Sequence, residues 1–250
     1  MTEITPQALL AELHKAAATA TSVVATLDDA AVAAPSELSG WTRGHVLAHL
    51  AGIANAMARQ LESAARGGTV ELYDGGYEGR NREIELAAGH DAAQHREAVG
   101  TAFARVLAAF DALAEDSSDE TGWSAPISYR NGTVFDGGLA LWRELTIHTG
   151  DLGTGFGPET WSRTFCEHLF RFLEARVPDG IKLVLQPLAL PPLTLGSGSR
   201  SIAVNGMITD IAAWLAGRTP TLGSLRASEA ADGVELPELL PWPSGAPAAK

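Results

Sequence analysis

A helical spacing of apolar residues runs through the first 155 residues and constrains the fold more than any other feature. In the first stretch, apolar residues at positions 9, 10, 13, 16, 17 and 20 lie three and four apart, so they share one face of a helix. Thr5 and Pro6 precede them and match the residue types preferred at a helix N-cap and first position. The pattern predicts a helix from Pro6 to about Leu27.

Three more helices are predicted in this half of the chain. One covers about residues 43–65 with Thr42 as its cap. Another begins near Asn81, breaks at Gly89 and His90, and resumes over residues 91–113; the last covers about 138–152. Residues 127–135 are compatible with a short β-hairpin. Since each helix has one apolar face, residues 1–155 are expected to form a four-helix bundle.

The sequence changes character near residue 155. Residues 157–177 read as an amphipathic helix, and residues 207–216 as a short helix ended by Gly217. Short apolar runs at 181–185, 193–195, 201–204 and 222–227 predict strands. We therefore expect a mainly α chain, with a second domain at 156–250 that is a smaller α+β unit with a Pro-rich tail.

Composition excludes several classes of function. The net charge of −12 argues against nucleic-acid binding, which needs clustered Lys and Arg. The N-terminus lacks the pattern of a signal peptide, and no apolar run reaches the roughly 18 residues of a membrane span. A single cysteine, Cys166, excludes an internal disulfide and a Cys-rich zinc site. These features favour a cytoplasmic protein.

The fourth predicted helix carries a carboxylate and an imidazole on one face. Glu144 and His148 are four residues apart, so they project one turn from each other. That side of the helix is otherwise apolar, and a charge facing a bundle interior is costly unless it is paired or ligated. Metal sites in bundle cores use such pairs from facing helices.

The second predicted helix supplies a complementary histidine. His49 lies within an apolar run, whereas His45 lies nearer the helix start, so His49 is the better candidate ligand. Two His and one Glu leave a coordination position open, as in catalytic zinc sites. Spacing alone leaves another interpretation open, in which Glu144 and His148 are a surface pair and His49 is a hydrogen-bonded core histidine.

Other candidates rest on weaker patterns. Arg80, Asn81 and Arg82 stand at a helix start after a Gly-rich loop, where an anion could bind or where the side chains could simply be solvated. Arg218 follows Gly217 and could be a helix-end charge. Cys166 lies among apolar residues and reads as a buried, inert thiol.

Four segments resemble one known family. They are residues 38–51 (LSGWTRGHVLAHLA), 80–84 (RNREI), 143–153 (RELTIHTGDLG) and 205–218 (NGMITDIAAWLAGR). Together they are similar to the mycothiol-dependent maleylpyruvate isomerase family, within the wider DinB-like bundle superfamily. The region after Arg218 matches poorly.

The resemblance implies a DinB-like four-helix bundle that binds zinc or another divalent metal through His49, Glu144 and His148. It implies that Arg218 is catalytic and holds an anionic group, and that mycothiol is the thiol cofactor, with Arg80, Asn81 and Arg82 as our candidates for binding it. The implied reaction is a cis–trans isomerisation of maleylpyruvate by thiolate addition, bond rotation and elimination.

Two alternatives use the same features differently. A mycothiol S-transferase would leave the thiol on an electrophilic product, and a non-enzymatic bundle would bind only a metal or a partner. For either enzyme we expect a small anionic or electrophilic substrate and a monomer or weak homo-oligomer. Nucleic acid and membrane are not expected as partners.

Overall fold

A computed structural model describes residues 4–115, 122–230 and 232–243 of the chain. The chain divides into two compact units, Thr2–Gly155 and Phe156–Lys250. Eight α-helices and five strands lie in the described part of the chain, and they confirm a mainly α protein with a smaller α+β unit. None of the described helices combines the length and the apolar character needed to cross a bilayer.

Four long helices form the N-terminal unit. They are α1 (Pro6–Ala25), α3 (Arg43–Ala64), α5 (Ala92–Glu115) and α6 (Val134–Asp151). Both α1 and α3 pack against α5 and α6, so each long helix contacts two others around a common core. Large buried side chains from the four helices, such as Leu9, Met57, Phe110 and Trp142, fill that core.

Side-chain caps fix where three of these helices begin. Thr5 accepts a hydrogen bond from the Ala8 backbone N–H at the start of α1. Thr42 and Thr133 each form a reciprocal capping box at the starts of α3 and α6. The partner of Thr42 is His45, whose ring nitrogen Nδ1 faces the Thr42 backbone N–H at 3.2 Å.

Two shorter helices complete this unit. Helix α2 (Asp29–Ala33) lies in the first connection, where the sequence predicted no helix, and α4 (Gly76–Ala87) begins five residues before the predicted start at Asn81. Helix α4 packs on α3. A Cβ on Gly79 would lie 1.9 Å from the Asp74 carbonyl oxygen, so only glycine permits the tight turn that leads into α4.

The predicted hairpin at residues 127–135 is wrong. Tyr129–Asn131 form a 3-10 turn, only an isolated bridge joins Pro126 and Thr133, and α6 already begins at Val134. Gln60 explains the difference, because its buried side chain accepts hydrogen bonds from the backbone N–H groups of Ser128 and Tyr129. This contact with α3 competes with strand pairing.

The C-terminal unit contains a five-stranded sheet and two helices. The strands are β1 (Ile181–Pro187), β2 (Leu193–Leu195), β3 (Arg200–Gly206), β4 (Arg226–Glu229) and β5 (Asp232–Val234), in the order β2-β1-β3-β4-β5. Strands β1 and β3 are parallel, and the other neighbours are antiparallel. The helices are α7 (Arg163–Phe172) and α8 (Ile208–Leu215), which pack on each other. The helix predicted over 157–177 is divided, since 3-10 turns flank α7.

Candidate metal centre

Helices α3 and α6 bring three predicted residues together. His49 Nε2 lies 2.9 Å from Glu144 Oε2, and His148 Nε2 lies 3.2 Å from the same oxygen. One nitrogen or oxygen from each residue lies within 4.8 Å of the others. Glu144 and His148 therefore use the one-turn spacing of α6, and the contact between α3 and α6 supplies His49.

The three side chains are withdrawn from solvent to different degrees. His49 is buried, with 4% of its surface exposed, whereas the Glu144 side chain is 31% exposed and that of His148 is 17% exposed. The ring centroids of His49 and His148 lie 4.6 Å apart at nearly right angles. The cluster thus has a buried side and an accessible side, which a site for an exchangeable ligand requires.

Two further residues contact the imidazoles from outside the cluster. Asp151 Oδ2 lies 2.8 Å from His148 Nδ1, and Arg80 Nη2 lies 3.1 Å from His49 Nδ1. The Asp151 carboxylate therefore contacts the His148 ring directly. Asp151 is three residues after His148, a spacing that places both on one helix face.

Burial and hydrogen bonding set the charges of the cluster. Burial opposes charge on Glu144, but hydrogen bonds with His148 and His49 outweigh it and hold the pKa of Glu144 well below its usual range. Burial also opposes charge on His148, yet hydrogen bonds with Asp151 and Glu144 raise its pKa to about 9. For His49 burial dominates and lowers the pKa. Glu144 is therefore an anion beside a neutral His49.

The donor set fits a divalent metal. Two imidazole nitrogens and a carboxylate oxygen suit zinc, and also Fe(II), Co and Ni. One ligand atom of each side chain lies within 4.8 Å of the other two, a spacing that allows all three to hold one ion. Asp151 fits the outer carboxylate that orients a metal-binding histidine.

The other predicted candidates lie partly on α4 and partly in the C-terminal unit. Arg80 contacts the cluster, and its Nη1 also donates to Asn81 Oδ1 at 2.9 Å, while Asn81 and Arg82 are exposed on α4. Arg218 belongs to the C-terminal unit, where it is half-buried just after α8 and donates to the Ala216 carbonyl. Cys166 on α7 is buried, and burial raises the pKa of its thiol to about 12.

Two aromatic residues beside the cluster were not predicted. Trp41 stacks on His45, with centroids 5.9 Å apart, and its edge approaches His49. The Tyr73 ring lies 6.0 Å from the Arg80 guanidinium carbon, and burial is the main cause that raises its pKa. Two tyrosines, Tyr73 and Tyr77, lie in the Gly-rich stretch before Arg80, but the sequence alone does not show which of them lies beside the cluster.

A cavity of about 420 Å³ adjoins the cluster. It lies among α3, α4, α5 and the loop before α4, and its lining includes His49, Tyr73, Arg80 and, farther along, Arg59 and Arg105. Both distant arginines are paired, Arg59 with Asp74 and Arg105 with Glu62. This volume falls in the range of small-molecule pockets.

Fold and cluster together define the class of helical bundles that carry a His–Glu–His group between facing helices. The family model of the mycothiol maleylpyruvate isomerase N-terminal domain matches residues 13–153. The chain therefore belongs to the mycothiol maleylpyruvate isomerase family, as the resemblance predicted.

Two solved structures are similar to the whole chain. One is a crystal structure of the mycothiol-dependent maleylpyruvate isomerase, with a TM-score of 0.81, 23% sequence identity, and coverage of 96% of this chain and 99% of that one. The other is a histidine-to-alanine mutant of the mycothiol-dependent maleylpyruvate isomerase, with a TM-score of 0.80, 22% identity and the same coverage. These similarities show a shared fold. A search of curated protein sequences gives no significant match.

Proposed function

We propose that the chain is a metal- and mycothiol-dependent cis–trans isomerase that acts on maleylpyruvate or a closely related unsaturated acid. The observation that carries the proposal is the cluster of His49, Glu144 and His148 in a chain of this family. Zinc is the preferred metal because of its affinity for two histidines and a carboxylate.

When bound, the metal would supply a Lewis acid that keeps a mycothiol thiol ionised, and this nucleophile would convert a conjugated double bond reversibly to a rotatable single bond. The remaining steps depend on side chains of the chain itself. The chain's own thiol, Cys166, is buried and has a raised pKa, so it is unsuited to the role of nucleophile.

The side chains around the cluster would orient the reacting groups. Asp151 accepts a hydrogen bond from Nδ1–H of His148 and so holds this ring in one orientation. A metal bound at Nε2 would take the place of the proton that the raised pKa keeps on the ring. Arg80, which lines the cavity beside His49, would attract a carboxylate of the substrate or of the cofactor. Asn81 and Arg82 would extend this binding surface along α4.

Arg218 would stabilise negative charge that develops on the substrate's carbonyl oxygen as an enolate. A guanidinium is charged at every relevant pH and donates several hydrogen bonds, which suits a developing oxyanion. Its half-buried setting after α8 limits its exposure to water. The role predicts that R218K retains part of the rate, whereas R218A loses about 100-fold or more in kcat.

The test combines metal analysis with product analysis. Purified wild-type protein, H49A and E144A are compared for bound zinc and for conversion of maleylpyruvate to fumarylpyruvate with mycothiol, and H14A serves as a control because His14 pairs with Asp111 away from the cluster. Wild type and H14A should bind one metal and turn over substrate, and the two cluster variants should do neither. Full wild-type turnover without metal would refute the scheme.

The mass of the product distinguishes the proposed isomerase from the alternative functions. A product that retains mycothiol identifies an S-transferase. In that case the same metal centre would keep the mycothiol thiol ionised. A chain that binds metal but gains no thermal stability from mycothiol would be a non-enzymatic binding bundle.

A further inference from the structure

The two imidazoles of the cluster differ in the side chain that lies next to Nδ1, the ring nitrogen that does not contact Glu144. Asp151 Oδ2 faces Nδ1 of His148 at 2.8 Å, and an ionised carboxylate only accepts hydrogen bonds, so this Nδ1 carries a proton. Arg80 Nη2 faces Nδ1 of His49 at 3.1 Å, and a guanidinium only donates, so this Nδ1 accepts. The two histidines therefore have opposite requirements at Nδ1.

This difference determines where the proton of His49 resides. A neutral imidazole whose Nδ1 accepts must carry its proton on Nε2, and Nε2 of His49 faces Glu144 Oε2 at 2.9 Å as a donor would. A metal bound at Nε2 requires that nitrogen's lone pair. The proton must then move to Nδ1, where Arg80 offers no acceptor.

Metal-binding histidines usually donate their other N–H to a carboxylate, a carbonyl oxygen or water. His148 already has this arrangement through Asp151, whereas His49 has a cation in the same place. We propose that Arg80 is a positioning residue that opposes metal binding at His49 and must leave His49 Nδ1 when a metal binds Nε2. The inference rests on the proposed function, since it concerns the same metal centre.

The cavity gives the displaced guanidinium a place to go. Arg80 already lines this space of about 420 Å³, and the Tyr73 ring lies 6.0 Å from its guanidinium carbon. An anionic group bound there would draw Arg80 away from His49. Metal and anion would then strengthen each other's binding, because both favour the state in which the Arg80–His49 contact is broken.

The first experiment determines which ring nitrogen of His49 carries the proton. Nitrogen-15 shifts of the imidazole rings are recorded for the metal-free wild-type protein and for the zinc-loaded protein. Metal-free His49 should carry its proton on Nε2 with Nδ1 unprotonated, and zinc loading should reverse this. A proton on His49 Nδ1 in the metal-free protein would overturn the inference, even if zinc binds.

The second experiment measures zinc affinity by competition with a chelator for wild type, R80Q, R80K and the control R66Q. The Oε1 atom of a glutamine can accept a hydrogen bond from Nδ1–H of His49, so R80Q should bind zinc about 10-fold to 100-fold more tightly. R80K remains a donor only, so its zinc affinity should resemble that of wild type. R66Q should also resemble wild type, because Arg66 is exposed just after the end of α3. Unchanged or weaker affinity in a folded R80Q, or equal gains in R80K and R80Q, would refute the role of Arg80.

The two readouts separate this inference from the proposed function. Proton positions on His49 are measured without metal, so they test Arg80 alone. If neither the wild-type protein nor R80Q binds zinc, the proposed metal centre is refuted. The proposal that Arg80 opposes metal binding is then refuted with it.

Discussion

The Asp151 carboxylate accepts a hydrogen bond from Nδ1 of His148 across 2.8 Å, one helical turn along α6. Both groups are largely shielded from water, since the Asp151 side chain is only 3% exposed. A charge-assisted hydrogen bond in such a setting holds the ring in one orientation. The contact therefore makes Asp151 part of the proposed metal centre, although it is not one of the three candidate ligands.

Replacing this carboxylate should weaken metal binding. D151N keeps the side-chain volume but removes the charge that orients His148, so zinc affinity should fall about 10-fold or more. The measurement is a chelator competition. D111N is the control, because Asp111 pairs with His14 on an exposed surface. Equal zinc affinities for D151N and D111N would contradict the orienting role.

Asp210 should make the C-terminal unit sensitive to acid. Its buried carboxylate accepts hydrogen bonds from the backbone N–H groups of Leu222 and Ser224 and from the Ser224 hydroxyl. Burial would raise its pKa, but these bonds outweigh burial and lower it. A lowered folded pKa means that the stabilisation is present above the unfolded value of about 3.9 and is lost as the pH falls below it.

D210N should reduce the free energy of unfolding at pH 7 by about 1.5–3 kcal/mol, because hydrogen bonds to a charged group are lost or weakened. The difference from wild type should shrink as the pH approaches 3. Urea unfolding at both pH values measures this effect. D179N, at an exposed aspartate of the same unit, should change little. A D210N deficit that is the same at both pH values would contradict the charge-based explanation.

Gly79 should be intolerant of even a methyl group. Its added Cβ would lie 1.9 Å from the Asp74 carbonyl oxygen, and a backbone atom cannot rotate away as a side chain can. G79A should therefore lower the free energy of unfolding by about 1–3 kcal/mol. Gly89 is the matched control, since its Cβ would meet nothing within 4 Å. G89A should be neutral or slightly stabilising in thermal unfolding, and equal losses in both variants would refute the steric argument.

Gln60 should be needed to hold the turn before α6. It is 1% exposed, its Oε1 accepts from Ser128 and Tyr129, and its Nε2 donates to the Val70 carbonyl. Q60M keeps the volume but leaves these backbone groups without their partner, which should cost about 1–3 kcal/mol of unfolding free energy. Q7M, at an exposed glutamine of α1, is the control. A Q60M protein as stable as Q7M in urea would contradict this role.

Local patterns predicted the helical half of the fold well. Caps such as Thr42 and the periodic apolar positions act over a few residues, so the start of α3 was predicted correctly at Arg43. The hairpin at residues 127–135 failed because Gln60, about 70 residues earlier in the chain, binds that segment. Strand β5 was missed because Asp232–Val234 is too short to show an apolar pattern.

Local patterns also predicted only part of the candidate site. Helical spacing predicted that Glu144 and His148 share a face, and the apolar run around His49 predicted its burial; the structure brings all three together. The contact of Arg80 with His49 depends on how the Gly-rich loop sets α4 against α3, which no local pattern encodes. The role of Arg218 stays a prediction.

The burial of Cys166 has a practical consequence for any experiment with an added thiol. A cysteine that is fully covered and has a pKa near 12 is almost entirely un-ionised at neutral pH, so it exchanges slowly with disulfides and alkylating reagents. The protein should therefore resist mixed-disulfide formation with an oxidised low-molecular-weight thiol. In a mixture of the folded protein with mycothiol, maleimide or iodoacetamide should therefore label only mycothiol. The amount of free mycothiol could then be followed over time without mutating Cys166.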